Sequence, residues 1–206
     1  MTPVVIDIET VKPTGALLDH ALSRVKVGNR KDPEKVEAYL QEKSARFSLD
    51  IRWARIACIG VRAGDDRILF NAWSATEHEM LRQFVVWMQE REPIAWCGHN
   101  IRAFDLPVIR TRLLAHGFGA YADAFVFKRY DKERVRDTVE DWWVPAPLGV
   151  RWSLADLCAV LGVEKPWGKG SQVGEWWESG DFESIGRHCL SDVDCEWEVA
   201  KTLGVW

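Results

Sequence analysis

Val4-Val5-Ile6-Asp7-Ile8-Glu9-Thr10 is the stretch from which the rest of the chain is read. An apolar run from Val4 to Ile8 that ends in acids reads as a short buried strand. Residues two apart on a strand point to the same side, so Asp7 and Glu9 project together from its end. Two carboxylates about 4 Å apart repel by roughly 1 kcal/mol in water and about 4 kcal/mol at an effective dielectric near 20. An acidic strand end is therefore either bathed in solvent or answered by positive charge, and Asp-x-Glu alone is compatible with both.

Outward from this strand, Arg55 to Val61 and Arg67 to Trp73 read as two further strands. The turn residues Ala63-Gly64-Asp65-Asp66 between them predict a hairpin. A helix follows, with Thr76 as N-cap and Glu79 three residues on in a capping-box pattern. Met80, Leu81, Phe84, Val85, Trp87 and Met88 recur at helical spacing until Pro93. Ile94 to Cys97 is a fourth strand, and a helix from about Phe104 to His116 ends at Gly117. Ser153 caps a short helix through Leu161, and a final helix runs from Phe182 or Glu183 to Leu203. The order is mixed α/β rather than strictly alternating.

Two segments stand outside this scheme. Residues 10–50 form a long insertion whose centre, with Asp32 at the cap and Pro33 in the first turn, predicts a charged helical arm. Pro145 to Arg151 is an irregular loop. Gly168-Lys169-Gly170-Ser171 reads as a flexible basic segment without phosphate-loop spacing.

The 206 residues suit one domain, and 47% hydrophobic with 28% charged residues is a globular mixture. No apolar run is long enough for a membrane span, and the N-terminus lacks the features of a signal peptide. Five cysteines without a Cys-x-x-Cys pair suggest reduced thiols in the cytoplasm and no zinc cluster. The net charge of −4 argues against a general nucleic-acid coat protein. Basic clusters nonetheless occur at Lys128-Arg129 and from Lys132 to Arg136. Twelve tryptophans, some paired as Trp142-Trp143 and Trp176-Trp177, serve either as core filling or as base-stacking faces.

Two more acids join the first pair. Gly98-His99-Asn100-Ile101-Arg102-Ala103-Phe104-Asp105-Leu106-Pro107 follows the fourth strand and puts Asp105 near a helix start. A carboxylate there can simply complement the helix end, and Asn100 can fix the loop through its backbone. His188 and Asp192 lie four apart, on one face of the last helix. No Gly-x-Ser-x-Gly elbow supports a serine hydrolase. Taken together, Asp7, Glu9, Asp105 and Asp192 form a set of carboxylates from distant segments that calls for cations. Oxygen-only ligands favour Mg²⁺ or Mn²⁺ over zinc.

These residues resemble the DEDD superfamily of 3′→5′ exonucleases, which share an RNase H-like fold. Asp7-Ile8-Glu9-Thr10 is similar to its first motif, and Asn100 to Asp105 with Phe104-Asp105-Leu106-Pro107 to its second. His188 to Asp192 is similar to the third. The likeness is to stand-alone bacterial and phage exonucleases related to the proofreading domain of family-B DNA polymerases; Asp137-Thr138 and Ser171-Gln172-Val173 also look like pieces of that group. The third motif departs from both known forms. One subgroup carries tyrosine four residues before the last aspartate and another carries histidine five before, whereas here histidine stands at four.

The resemblance implies an RNase H-like α/β fold with a mixed five-stranded sheet flanked by helices, as one domain over residues 1–206 with the insertion at about 10–50. It implies two divalent cations, Mg²⁺ or Mn²⁺. Asp7, Glu9 and Asp192 would hold one and Asp7 with Asp105 the other, while His188 orients or deprotonates water. Thr10, His99, Asn100 and Phe104 are the expected substrate contacts. The expected substrate is the 3′ end of single-stranded DNA, with nucleoside 5′-monophosphates as product, and the arm and the stretch from Lys128 to Arg136 are expected to guide the strand. An exoribonuclease, a non-catalytic nucleic-acid-binding module and an endonuclease on the same fold are the alternatives; any polymerase partner is left open.

Overall fold

The computed structural model describes residues 1–128, 130–142, 152–164 and 166–205. In chain order its strands are β1 (Thr2–Val11), β2 (Arg55–Ala63), β3 (Asp66–Asn71), β4 (Ile94–Gly98) and β5 (Val135–Asp137). The helices are α1 (Gly15–Ser23), α2 (Pro33–Ala45), α3 (Glu77–Gln89), α4 (Asp105–Ala115), α5 (Gly119–Ala122), α6 (Thr138–Asp141), α7 (Leu154–Leu161), α8 (Val173–Ser179) and α9 (Phe182–Thr202). The strands form one sheet in the order β3-β2-β1-β4-β5. β1 pairs antiparallel with β2 and parallel with β4, so the sheet is mixed and the fold α/β and RNase H-like. The expected loop at 145–151, together with Trp143 and Arg129, lies outside the described residues.

β1 runs longer than its apolar core alone predicts, and its alternation sorts the molecule into two layers. Val4, Ile6 and Ile8 join the main core with Phe84, Met88, Leu106 and Ile109 from α3 and α4. Val5 and Val11 face the opposite way, packing with residues of α8 and α9. Asp7 and Glu9 share that second face by strand periodicity. The core side is dry and dense: Phe84 is fully buried among Phe70, Trp87, Trp96 and Phe125. Truncating such an aromatic costs about 3–5 kcal/mol.

The local signals act as their chemistry dictates. The hairpin turns through Gly64 at φ +61°. Thr76 accepts a hydrogen bond from the Glu79 amide at 3.1 Å, but the Glu79 carboxylate holds Arg82 instead of closing the capping box. Ser153 and Asp156 do close one. Asp32 caps α2 with Pro33 at its start, and no residue of α2 is buried. The insertion thus contains two helices, and it returns through a 3-10 turn at Arg46–Leu49 whose Ser48 carbonyl accepts from Thr10 Oγ1 at 2.6 Å. Gly168 to Ser171 is not a free segment: Trp167 and Gly168 lie against α9, and Gly170–Gln172 forms a 3-10 turn.

The fifth strand is the element with the faintest sequence signature. β5 has three residues, Val135-Arg136-Asp137, inside a stretch that reads as a basic cluster. There the cations have partners: Lys132 and Arg136 both pair with Asp141, and Arg134 lies 4.9 Å from the Phe127 ring centroid.

Candidate active site

The carboxylates assemble where α9 crosses β1 and β2. Asp7 stands opposite Gly60 on β2, and a Cβ at Gly60 would come within 2.8 Å of Cys189 Sγ on α9. Glycine at this position leaves room for the Cys189 and Val193 side chains to seat α9 beside the strand carrying Asp7. The β1–β2 register shifts between Glu9 and Thr10, so the ladder skips Ala57 immediately beyond Glu9. Such a bulge re-aims side chains at a strand end.

Asp105 arrives from the other direction. β4 pairs with β1 only from Thr2 to Val5, which frees the Ile8 amide, and Asp105 Oδ1 accepts from it at 3.1 Å. The intervening loop leaves the sheet at Gly98, where a Cβ would lie 2.3 Å from Ile101 and 2.6 Å from the Ile6 carbonyl. Asn100 takes a left-handed φ of 63°, and Asp137 at the end of β5 accepts from the amides of Asn100 (2.9 Å) and Arg102 (3.0 Å). Asp137, flagged from sequence only as part of a resemblance, therefore shapes the loop that delivers Asp105.

His188 links the two halves of the site. Its Nε2 lies 3.4 Å from Glu9 Oε1 and its Nδ1 lies 3.4 Å from Asp192 Oδ1. Nδ1 also lies 2.6 Å from the Trp167 carbonyl. A carbonyl only accepts, so Nδ1 carries the hydrogen and a neutral ring has its lone pair on Nε2, facing Glu9. The ring is buried, edge-on to Trp176 and beneath the Trp167–Gly170 loop. The Trp167 amide in turn donates to Ser191 Oγ at 2.7 Å.

The electrostatics are those of a site lacking countercharge. Burial lifts Asp7 well above the usual carboxylate range, reinforced by Glu9, Asp192 and Asp105. Burial also raises Glu9, with Cys58, Asp192 and Asp105 adding to it. Asp105 is raised by burial to about 7, although its own amide and that of Ile8 pull it down. Asp192 is raised by burial to about 6, with His188 opposing. Asp7 Oδ2 and Asp192 Oδ1 are buried without a hydrogen-bond partner. Hard oxygen donors left unanswered fit a divalent cation such as Mg²⁺ or Mn²⁺. As placed, no three His, Cys, Asp or Glu side chains among the described residues close around a metal-sized point.

The expected substrate contacts divide. Asn100 is exposed and Phe104 half-buried at the head of α4. Thr10 spends its hydroxyl on Ser48, and both ring nitrogens of His99 are taken up, by Thr138 Oγ1 (3.1 Å) and the Trp152 carbonyl (3.0 Å). These two tie segments together rather than face the carboxylates. A further acid went unnoticed in the sequence: Glu196, one turn beyond Asp192, is buried with Oε2 unpartnered. A groove along α9, lined by Arg67, Trp73, Trp167, Lys169 and Arg187, does not include the four acids.

Comparison with known proteins identifies the family and the fold. The profile of a family described as "Predicted 3'-5' exonuclease related to the exonuclease domain of PolB" matches residues 51–199. A DNA polymerase of Red sea bream iridovirus is 47% identical over 38 residues, which is 18% of this chain and 4% of the viral protein. The family B DNA polymerase of the hyperthermophilic archaeon Pyrobaculum calidifontis superposes with a TM-score of 0.64 at 20% identity. That match covers 98% of this chain and 24% of the polymerase, so the chain spans about a quarter of that relative's length.

Proposed function

We propose that this chain, which belongs to the family of predicted 3′→5′ exonucleases related to the exonuclease domain of PolB, removes nucleoside 5′-monophosphates from the 3′ end of single-stranded DNA. The observation that carries the reading is the convergence of Asp7, Glu9, Asp105 and Asp192, each pushed above the usual carboxylate range, with His188 set between Glu9 and Asp192. The choice of DNA rests on the polymerases to which the chain is similar. Five buried, unbridged cysteines support a reducing, cytoplasmic setting.

Asp7, Glu9 and Asp192 would hold one divalent cation and Asp7 with Asp105 a second. When bound, the ions supply charge stabilisation to the attacking and leaving oxygens of an in-line displacement. The chain's own residues do the rest. His188, held through Nδ1 by the Trp167 carbonyl, accepts the proton of the attacking water at Nε2. Trp167, Trp176 and the Gly168–Gly170 backbone keep bulk water from that ring. Asp137 keeps the Gly98–Phe104 loop folded so that Asp105 meets the end of β1.

The test is incubation of a 5′-labelled, 3′-single-stranded DNA oligomer with purified protein in Mg²⁺, Mn²⁺ or EDTA, beside Asp7→Ala. A ladder shortening from the 3′ end, dependent on metal and absent in the mutant, is expected. Cleavage of matched RNA in preference to DNA would reverse the substrate assignment, and cleavage of neither would leave a nucleic-acid-binding module.

A further inference from the structure

The insertion between β1 and β2 separates into a root and a tip with different chemistry. The root is fastened beside the carboxylates: Thr10 donates to the Ser48 carbonyl, Lys12 pairs with Glu178 at 2.6 Å, and Arg55 donates to Thr14 Oγ1. The buried Phe47 and Ala21 seat it, and His20 lies edge-on to Trp53. The tip is the connection from α1 to α2, Arg24-Val25-Lys26-Val27-Gly28-Asn29-Arg30-Lys31-Asp32, with four cations and one acid, Asp32, which caps α2 and pairs with Lys35. All four basic side chains belong to exposed residues. The ion pairs of α2 join Lys35 to Asp32 and Lys43 and Arg46 to Glu42; none takes in Arg24, Lys26, Arg30 or Lys31. Arg30 is instead laid 3.8 Å from the Tyr39 ring centroid and donates to the Val27 carbonyl, so its guanidinium is held in place without being neutralised.

We infer that this tip is the phosphate-binding surface for the strand that trails away from the active site, taking the backbone of single-stranded nucleic acid several nucleotides behind the 3′ end. Lys132 and Arg136 are less free than the tip for that role, since both are engaged by Asp141. α2 has 13 residues, about 20 Å at 1.5 Å per residue, and runs from the tip back to the turn beside Thr10. At about 3.4 Å per stacked nucleotide, that distance corresponds to roughly six nucleotides. The inference rests on the proposed nuclease reading for its orientation, while the charge argument stands on the tip alone.

The experiment compares the full-length protein with the triple variant Arg24→Ser, Lys26→Ser, Lys31→Ser, whose exposed sites leave the fold undisturbed. Binding of labelled 4-mer and 20-mer DNA is measured by fluorescence anisotropy with Ca²⁺ in place of Mg²⁺, and again with RNA of the same sequences. Hydrolysis of the p-nitrophenyl ester of thymidine 5′-monophosphate is followed in parallel. We expect the variant to lose about ten-fold or more in 20-mer affinity at low salt. Its plot of log affinity against log salt should flatten by about 2, from roughly 0.7 per lost phosphate contact. The 4-mer and the ester should be unaffected. An unchanged 20-mer salt slope, or equal losses on the 4-mer and 20-mer, would overturn the inference. Equal effects on DNA and RNA fit backbone recognition, and a loss confined to one of them would refute it. If neither protein hydrolyses anything, the nuclease reading fails while the anisotropy still decides the tip.

Discussion

Glu77 and the four acids gathered at the end of β1 belong to the same fold, which treats them oppositely. Glu77, at the head of α3, is answered on every side. Arg112 forks onto both its oxygens at 2.8 and 2.7 Å, the Ile56 amide donates at 2.8 Å, and His116 and Arg55 stand within 4 Å. Burial would raise its pKa, but Arg112 and these partners hold it below the ordinary glutamate value. Glu9 and Asp105 are buried and Asp7 and Asp192 half-buried, yet all four are pushed upward. A carboxylate kept for stability arrives with its cation in the sequence. The four acids at the end of β1 have no such cation among the described side chains, a perturbation typical of functional sites.

The contrast can be broken first by Asp7→Ala. Loss of the shared carboxylate should lower metal-dependent exonuclease turnover on the order of 10³-fold, with an unchanged circular dichroism spectrum. Turnover near that of the parent would remove Asp7 from the site. His188→Ala should cost roughly 10²-fold in kcat if Nε2 handles the proton. A matching rise in KM with kcat intact would make the ring a structural prop instead. Glu77→Ala should do the reverse of Asp7→Ala. Leaving the Arg112 guanidinium buried and unpaired costs about 3–5 kcal/mol of stability, read as a lower urea midpoint, while turnover per folded molecule holds.

The smallest effect tests the electrostatics directly. Asp105 has a folded pKa of about 7, above the roughly 3.9 of an unfolded aspartate. Between those values the native state retains a proton that the unfolded chain has lost, so stability falls as pH rises across that window. Metal-free Asp105→Asn should therefore melt higher than the parent at pH 8 and similarly at pH 4. Mg²⁺ should stabilise the parent more than the variant. A variant that melts lower at pH 8 would contradict the claim that the acids are uncompensated.

Much of this was legible in the residues. Alternation on β1 placed Asp7 and Glu9 on one face, and helical spacing placed His188 with Asp192, because both rules depend only on local geometry. What escaped depends on distant partners. β5 is too short to carry a pattern, and its Asp137 reads as one more charge until its carboxylate is seen bonded to the Asn100 and Arg102 amides. Thr10 and His99 adjoin the motifs in sequence, but their side chains turn to Ser48, Thr138 and Trp152. Lys132 and Arg136 read as free charges in sequence, whereas in the fold both share Asp141, a few residues on.

Gly60 has no functional group, yet it sets the tolerance of the whole site. It acts as a zero-thickness shim: α9 bears on the sheet with Cys189 where a methyl group would stand. Asp192 rides on the next turn of that helix. A side chain at position 60 would press on Cys189 and Val193, the side chains through which the helix carrying Asp192 seats on the strand. The alignment of four charges thus depends on an atom the sequence leaves out.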